Sequence, residues 1–191
     1  MPQNASIETL PLFPLPNVVL LPAGVIPLHV FESRYCDLVR AVQARNQLIA
    51  IPQLAPGWEA SYHAEPPIFP IFGLGRIIEC ESLEDDRFNI LVEGLARVEL
   101  LSEELHIDGF REAHVTLLED HPGDLQSLEK NRDKIRMALG QLLALHTHFR
   151  PLGRLMNLDL EDAVFADTLS HALMTDPQDR QSYIESNQVS K

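Results

Sequence analysis

Leu10-Pro-Leu-Phe-Pro-Leu-Pro-Asn-Val-Val-Leu-Leu-Pro-Ala-Gly-Val-Ile-Pro-Leu-His-Val-Phe-Glu-Ser-Arg-Tyr35 is the stretch whose reading decides the fold. Five prolines, Pro11, Pro14, Pro16, Pro22 and Pro27, stand among Val, Ile, Leu and Phe. Each lacks the amide donor that helix interiors and central strands need, so the stretch predicts neither; short strands broken by corners are expected. Asn17 and Gly24 supply turn chemistry. Immediately afterwards the period changes. Tyr35, Leu38, Val39 and Val42 fall at i, i+3, i+4 and i+7, which predicts an amphipathic helix from Glu32 or Ser33 to about Ala44.

Working outward, residues 47–51 read as a short strand, and 52–71 as a proline-rich loop around Trp58, Tyr62, His63 and Phe69. That loop exceeds ordinary connection lengths, and long ordered loops usually carry function. Residues 72–82 and 87–102 read as a hairpin closed by the polar turn 83–86, with Gly94 marking a bulge or bend. Residues 110–118 extend the β region. So many short strands predict a small closed or half-closed barrel, because closure removes exposed edges.

From Gly123 the pattern is helical. Leu125, Leu128, Ile135, Leu139, Leu142 and Leu143 define one long helix ended by Arg150-Pro151. A second starts near Asp159 and buries Phe165, Ala166, Leu169 and Leu173; Asp176-Pro177 opens a third, and 187–191 reads as a frayed tail. The expected fold class is α+β, with a β domain at 1–119 and a helical appendage at 120–191.

The chain has 191 residues, 45% of them hydrophobic, and a net charge of −13. Such acidity argues against a nucleic-acid surface and against anionic lipid, both of which recruit Lys and Arg. The acid clusters at 79–86, 103–104 and 119–124 read as solvated surface. No apolar run approaches the roughly 18 residues of a membrane span. Met1–Ser6 resembles no signal peptide, so a cytoplasmic location with Cys36 and Cys80 as free thiols is expected.

Four segments in order, 10–21, 27–35, Gly73-Leu-Gly-Arg-Ile77 and Phe88-Asn-Ile-Leu-Val-Glu-Gly-Leu-Ala-Arg97, resemble the N-terminal, substrate-binding domain of the ATP-dependent protease Lon. The resemblance covers about 7–119, and the helices to 186 look like the helical part that follows in that family. It implies a PUA-like β-barrel with an inserted helix and a C-terminal helical bundle. It also implies a non-catalytic role, since the domain helps the protease select unfolded or tagged substrates, and this chain is similar to the small stand-alone members that lack the protease. Ser33 departs from the proline often found there, but Ser also starts a helix.

Catalytic readings fare poorly. No glycine is followed by lysine, so there is no Walker A loop, and the Ser190-Lys191 pair sits on the tail. No serine has an elbow setting. His146 and His148, if helical, would diverge by about 200° and could not share an ion. His29 and Cys36 lack further ligands at a metal spacing, and Gly73-Leu-Gly75 is explained by close strand packing. Neither a cofactor nor a metal is expected. The candidate peptide-binding residues are Leu54, Trp58, Tyr62 and Phe69, which either plug the barrel or present an apolar surface to extended segments of a client protein. The alternative is a small-ligand or nucleotide-binding module, signalled by a deep aromatic-lined pocket.

Overall fold

The corners cut the opening stretch into two strands, β1 (Ser6–Leu12) and β2 (Val25–Val30), and the change of period starts helix α1 (Ser33–Ala44). This computed structural model describes residues 6–62, 64–119, 125–158 and 160–186. The readings made on Met1–Ala5, His63, 119–124 beyond Glu119, Asp159 and 187–191, and on the side chains of Leu125 and Leu128, lie outside the described residues. Then follow β3 (Leu48–Ile51), β4 (Ile71–Ser82), β5 (Phe88–Leu105), β6 (Arg111–Leu118), α2 (Leu125–Leu145), α3 (Asp162–Leu173) and α4 (Pro177–Glu185). One-turn 3₁₀ segments occupy Trp58–Ser61 and Glu84–Asp86, and a longer one occupies Thr147–Asn157.

The strands form one mixed sheet in the order β2-β5-β4-β3-β1-β6, with β6 also pairing β5. The 18-residue β5 carries β2 along Phe88–Glu93 and β6 along Arg97–Leu105. Five strands thus curl back on themselves and β2 stays outside the circuit. The seam between β1 and β3 is thin, one registered parallel pair at Leu12 and Ala50. The result is an α+β fold around a curled sheet, less regular than the small barrel expected from the strand count.

Pro11 lies in a strand with neighbours on both sides, contrary to the expectation that proline excludes central strands. The amide of Phe13 donates to the Ala50 carbonyl (2.8 Å), so Pro11, two residues earlier, turns its missing donor the same way, ahead of the first β3 rung. No ladder bond is lost. Pro27 is simpler, because β2 is an edge strand.

Helix α1 buries Tyr35, Leu38, Val39 and Val42 as its spacing predicts, and Cys36 with them. Together with Ile26, Val30, Ile77, Phe88, Ile90 and Val92 they form the larger core. A second core, inside the curl, joins Leu10, Leu12, Phe72, Leu74, Val98 and Val115. Gly73 and Gly94 let the β1–β2 connection cross the sheet closely: a Cβ at Gly73 would stand 2.1 Å from the Leu20 carbonyl oxygen, and one at Gly94 2.0 Å from that of Leu21. The register jumps from Leu74–Ala96 to Gly75–Gly94, so the bulge expected at Gly94 is present, with Leu95 as the extra residue.

Helix α2 stops at Leu145, earlier than Arg150-Pro151, because His146 is extended (φ −130°, ψ 103°). Helix α3 starts at Asp162 and buries Phe165 and Leu169, which meet Leu139 of α2. Leu173 is exposed, against expectation: it is the last residue of α3, where the chain turns off at Met174. Asp176 caps α4 as expected, accepting from the amides of Gln178 (2.7 Å) and Asp179 (3.2 Å).

The helices rest on the sheet through polar contacts. Arg97 of β5 makes a two-pronged ion pair with Asp167 of α3, both almost fully buried, and the Tyr183 hydroxyl of α4 donates to Asp167 Oδ1 (2.9 Å). Burial pushes the Tyr183 phenol up to about 12, so it remains a donor. Gln181 donates to the Ile71 carbonyl (3.0 Å), and Ile184 packs on Val19 and Leu21.

His171 of α3 lies against Gly24, whose added Cβ would stand 2.4 Å from the ring. Burial, then the Arg180 charge, holds its imidazole below the ordinary value, outweighing an upward pull from the Val25 backbone. As pH falls below about 6.5 the unfolded chain therefore takes up this proton before the folded one, and stability drops until the folded-state value is passed. Urea midpoints measured from pH 7.5 to 5 should fall more for the wild type than for His171→Gln. Superimposable profiles would take His171 out of the account.

Candidate functional site

Where β2 ends and α1 begins, the alternation of β2 turns Val30 into the core and leaves Phe31 outside, 65% exposed. The next residues, Glu32, Ser33 and Arg34, open the helix. With Phe31 and Tyr62 they line an open depression of about 550 Å³.

Its floor is polar but internally satisfied. Glu32 Oε2 accepts from Arg34 Nε (3.2 Å) and Nη2 (3.0 Å), and Glu32 Oε1 accepts from the Tyr62 hydroxyl (2.7 Å). Arg34 Nη2 also donates to the Tyr62 carbonyl (3.3 Å). The guanidinium lies 4.6 Å from the centre of the Tyr35 ring and 5.7 Å from that of Tyr62. Bonding to Glu32, then burial, raises the Tyr62 hydroxyl above the ordinary phenol value; burial pushes Tyr35 up to about 12. These groups hold one another, and the walls they present are aromatic.

Arg34 also lines a second, water-sized hollow of about 20 Å³ with Ala64, Pro66, Leu105 and Phe110. Arg111 ties the two sides, donating to the Pro66 carbonyl (2.8 Å) and pairing with Glu103. The β5–β6 turn therefore borders this second hollow with Leu105, 62% exposed, and carries Ile107, 95% exposed, two residues on.

Of the four residues singled out from sequence, Trp58 and Tyr62 come together at this face, edge to face with ring centres 5.5 Å apart. Leu54 is buried: its amide donates to the Leu15 carbonyl (3.0 Å) and it bridges to Ile68. Phe69 is half-buried, its amide on the Gln53 carbonyl (3.0 Å). The loop thus plugs with one end and presents aromatics with the other. Phe31, Leu105 and Ile107 were missed. Phe31 carries a readable signal, an apolar residue out of phase with the strand before it and outside the helix stripe after it.

Elsewhere, His29 lies on the outer face of β2, where Nδ1 is 2.9 Å from Asn89 Oδ1, and Cys36 is on the buried side of α1. His146 and His148 are not both helical, as the divergence argument assumed; their ring centres are 5.7 Å apart on the surface. Among the described residues no group of three or more His, Cys, Asp or Glu could hold a metal, and no helix is long and apolar enough to cross a membrane.

The chain matches the family model for the ATP-dependent protease La (LON) substrate-binding domain over residues 9–191. The Lon protease of Haemophilus influenzae is 28% identical over 185 residues, covering 93% of this chain and 22% of that protein. The Lon protease of Desulfosudis oleivorans is 28% identical over 91 residues, 48% of this chain and 11% of that protein. The chain therefore spans no more than about a quarter of the length of such relatives. In fold it is similar to the N-terminal domain of Mycobacterium avium complex Lon protease (TM-score 0.74, 15% identity, 96% of this chain and 92% of that one). It is also similar to a Lon N-terminal domain protein from Xanthomonas campestris (TM-score 0.56, 24% identity, 94% and 98%). This chain belongs to the LON substrate-binding domain family.

Proposed function

We propose that this member of the LON substrate-binding domain family is a non-catalytic recognition module that binds exposed apolar protein segments and serves Lon-type proteolysis. The binding surface is the face built on Phe31, Trp58 and Tyr62 and extended by Leu105 and Ile107. One observation carries the reading: a phenylalanine 65% exposed at the mouth of an open depression whose polar floor is already satisfied. Such a floor leaves burial of apolar area as the attraction on offer, and an open depression suits an extended segment better than an enclosed small molecule. Chemistry is left to an ATPase and protease, on this polypeptide or another.

Binding of a fluorescein-labelled apolar peptide, followed by anisotropy, tests it. Micromolar affinity is expected, and Phe31→Ser or Trp58→Ala should each weaken it about 10- to 30-fold, the equivalent of losing roughly 1.5–2 kcal/mol of buried side chain. Both positions are partly or largely exposed, so urea midpoints should hardly move and a folding defect can be separated from a binding one. Wild-type affinity in both variants would remove this face from the proposal. A nucleotide or metabolite that raises Tm while no peptide binds would favour the small-ligand alternative.

A further inference from the structure

The segment-binding reading leaves open which apolar segments are taken, and the charges around the face bear on that choice. Residues 1–119 hold 17 acidic and 7 basic residues, so they carry −10 of the chain's −13. Six of those seven arginines are ion-paired: Arg34 with Glu32, Arg40 with Asp37, Arg45 with Glu112, Arg87 with Asp85, Arg97 with Asp167 and Arg111 with Glu103. The seventh, Arg76, lines neither hollow.

The acidic surplus, by contrast, includes carboxylates that directly flank residues of this face along the chain. Glu59 follows Trp58 on its 3₁₀ turn, and Glu65 lies between the hollow-lining Ala64 and Pro66. Both are exposed and make no ion pair among the described residues. Aromatic walls over a floor whose charges are cancelled thus have uncompensated carboxylates, Glu59 and Glu65, next to them in the chain.

We propose that this face selects apolar segments flanked by Lys or Arg and rejects those flanked by Asp or Glu. The proposal rests on the segment-binding reading and names its substrate class. The apolar core of the segment buries Phe31, Trp58 and Tyr62, while its cationic flanks reach these carboxylates. Exposed charges act through solvent, so the preference is a salt-dependent increment on a salt-insensitive base.

Three labelled peptides test it by anisotropy: one Leu/Phe/Ile core with Lys flanks, the same core with Glu flanks, and a Gly/Ser core with Lys flanks. At about 20 mM salt the Lys-flanked apolar peptide should bind at least about 10-fold tighter than the Glu-flanked one. The gap should close toward unity near 1 M salt, where the Debye length is about 3 Å. It should also shrink several-fold in the Glu59→Gln/Glu65→Gln variant, whose changes are both at exposed positions. Equal affinity of both apolar peptides at low salt, or a gap that survives in the double variant, would overturn charge selection while leaving segment binding intact. Equally tight binding of the Gly/Ser peptide would also overturn it, since attraction would then be indifferent to the aromatic walls. Failure of every peptide to bind would sink both readings.

Discussion

Asp167→Ala should destabilise the fold by about 3–5 kcal/mol, the cost of breaking a buried ion pair by removing one of its members. Arg97 and Asp167 are 5% and 3% exposed, so water cannot replace the lost partner without opening the junction between β5 and α3. The Tyr183 hydroxyl loses its acceptor as well, and α4 loses one of its ties to the rest of the fold. Urea denaturation should show the midpoint falling steeply. The double variant Arg97→Met/Asp167→Leu separates causes: apolar residues of similar volume replace both members of the pair, so it should recover much of the loss. A double variant as unstable as the sum of the two single ones would show that packing, not charge, sets the effect.

Gly94→Ala should be comparably severe, about 3 kcal/mol or more, the upper end of what an inserted methyl costs in a packed interior. The new Cβ would meet the carbonyl oxygen of Leu21 at 2.0 Å, and this is backbone that no rotamer change can move aside. Gly94 is also bonded on both sides to the turn that follows: its amide donates to the Gly24 carbonyl (2.8 Å), and its own carbonyl accepts from Ala23 (3.0 Å). Displacing the crossing segment therefore costs hydrogen bonds as well as contact. An unmoved urea midpoint would mean that the β1–β2 connection yields freely. Gly109→Ala is the matched control for crowding, since nothing lies within 4 Å of an added Cβ there; its φ of +84° strains only an exposed turn.

Much of the architecture was readable from local pattern. The spacing of Tyr35, Leu38, Val39 and Val42 places α1 and its buried face, because a 3.6-residue period leaves one stripe for the core. The β4–β5 hairpin, the bulge at Gly94 and the Asp176 cap follow from equally local chemistry. The end of α2 did not, because Pro151 is a strong stop signal but not the first one the chain meets. Helical period also exaggerated Leu173, which belongs to the stripe of α3 in register but lies at its end.

The candidate face divides in the same way. Trp58 and Tyr62 were visible as aromatics in an overlong loop, and their contact is local, four residues apart on a tight turn. Leu54 looked equivalent on the page. Only its bridges to residues 15 and 68, distant along the chain, bury it.

Composition and period by themselves determined that this chain forms proline-cornered strands, one core-facing helix after them and an acidic surface, because each depends on neighbours within a few residues. Tertiary structure alone decided which carboxylates are cancelled by arginines, which glycines pass under Leu20 and Leu21, and that Phe31 shares a depression with Tyr62. Those outcomes depend on how a curled sheet brings distant segments within a few ångströms, and no local propensity encodes that distance.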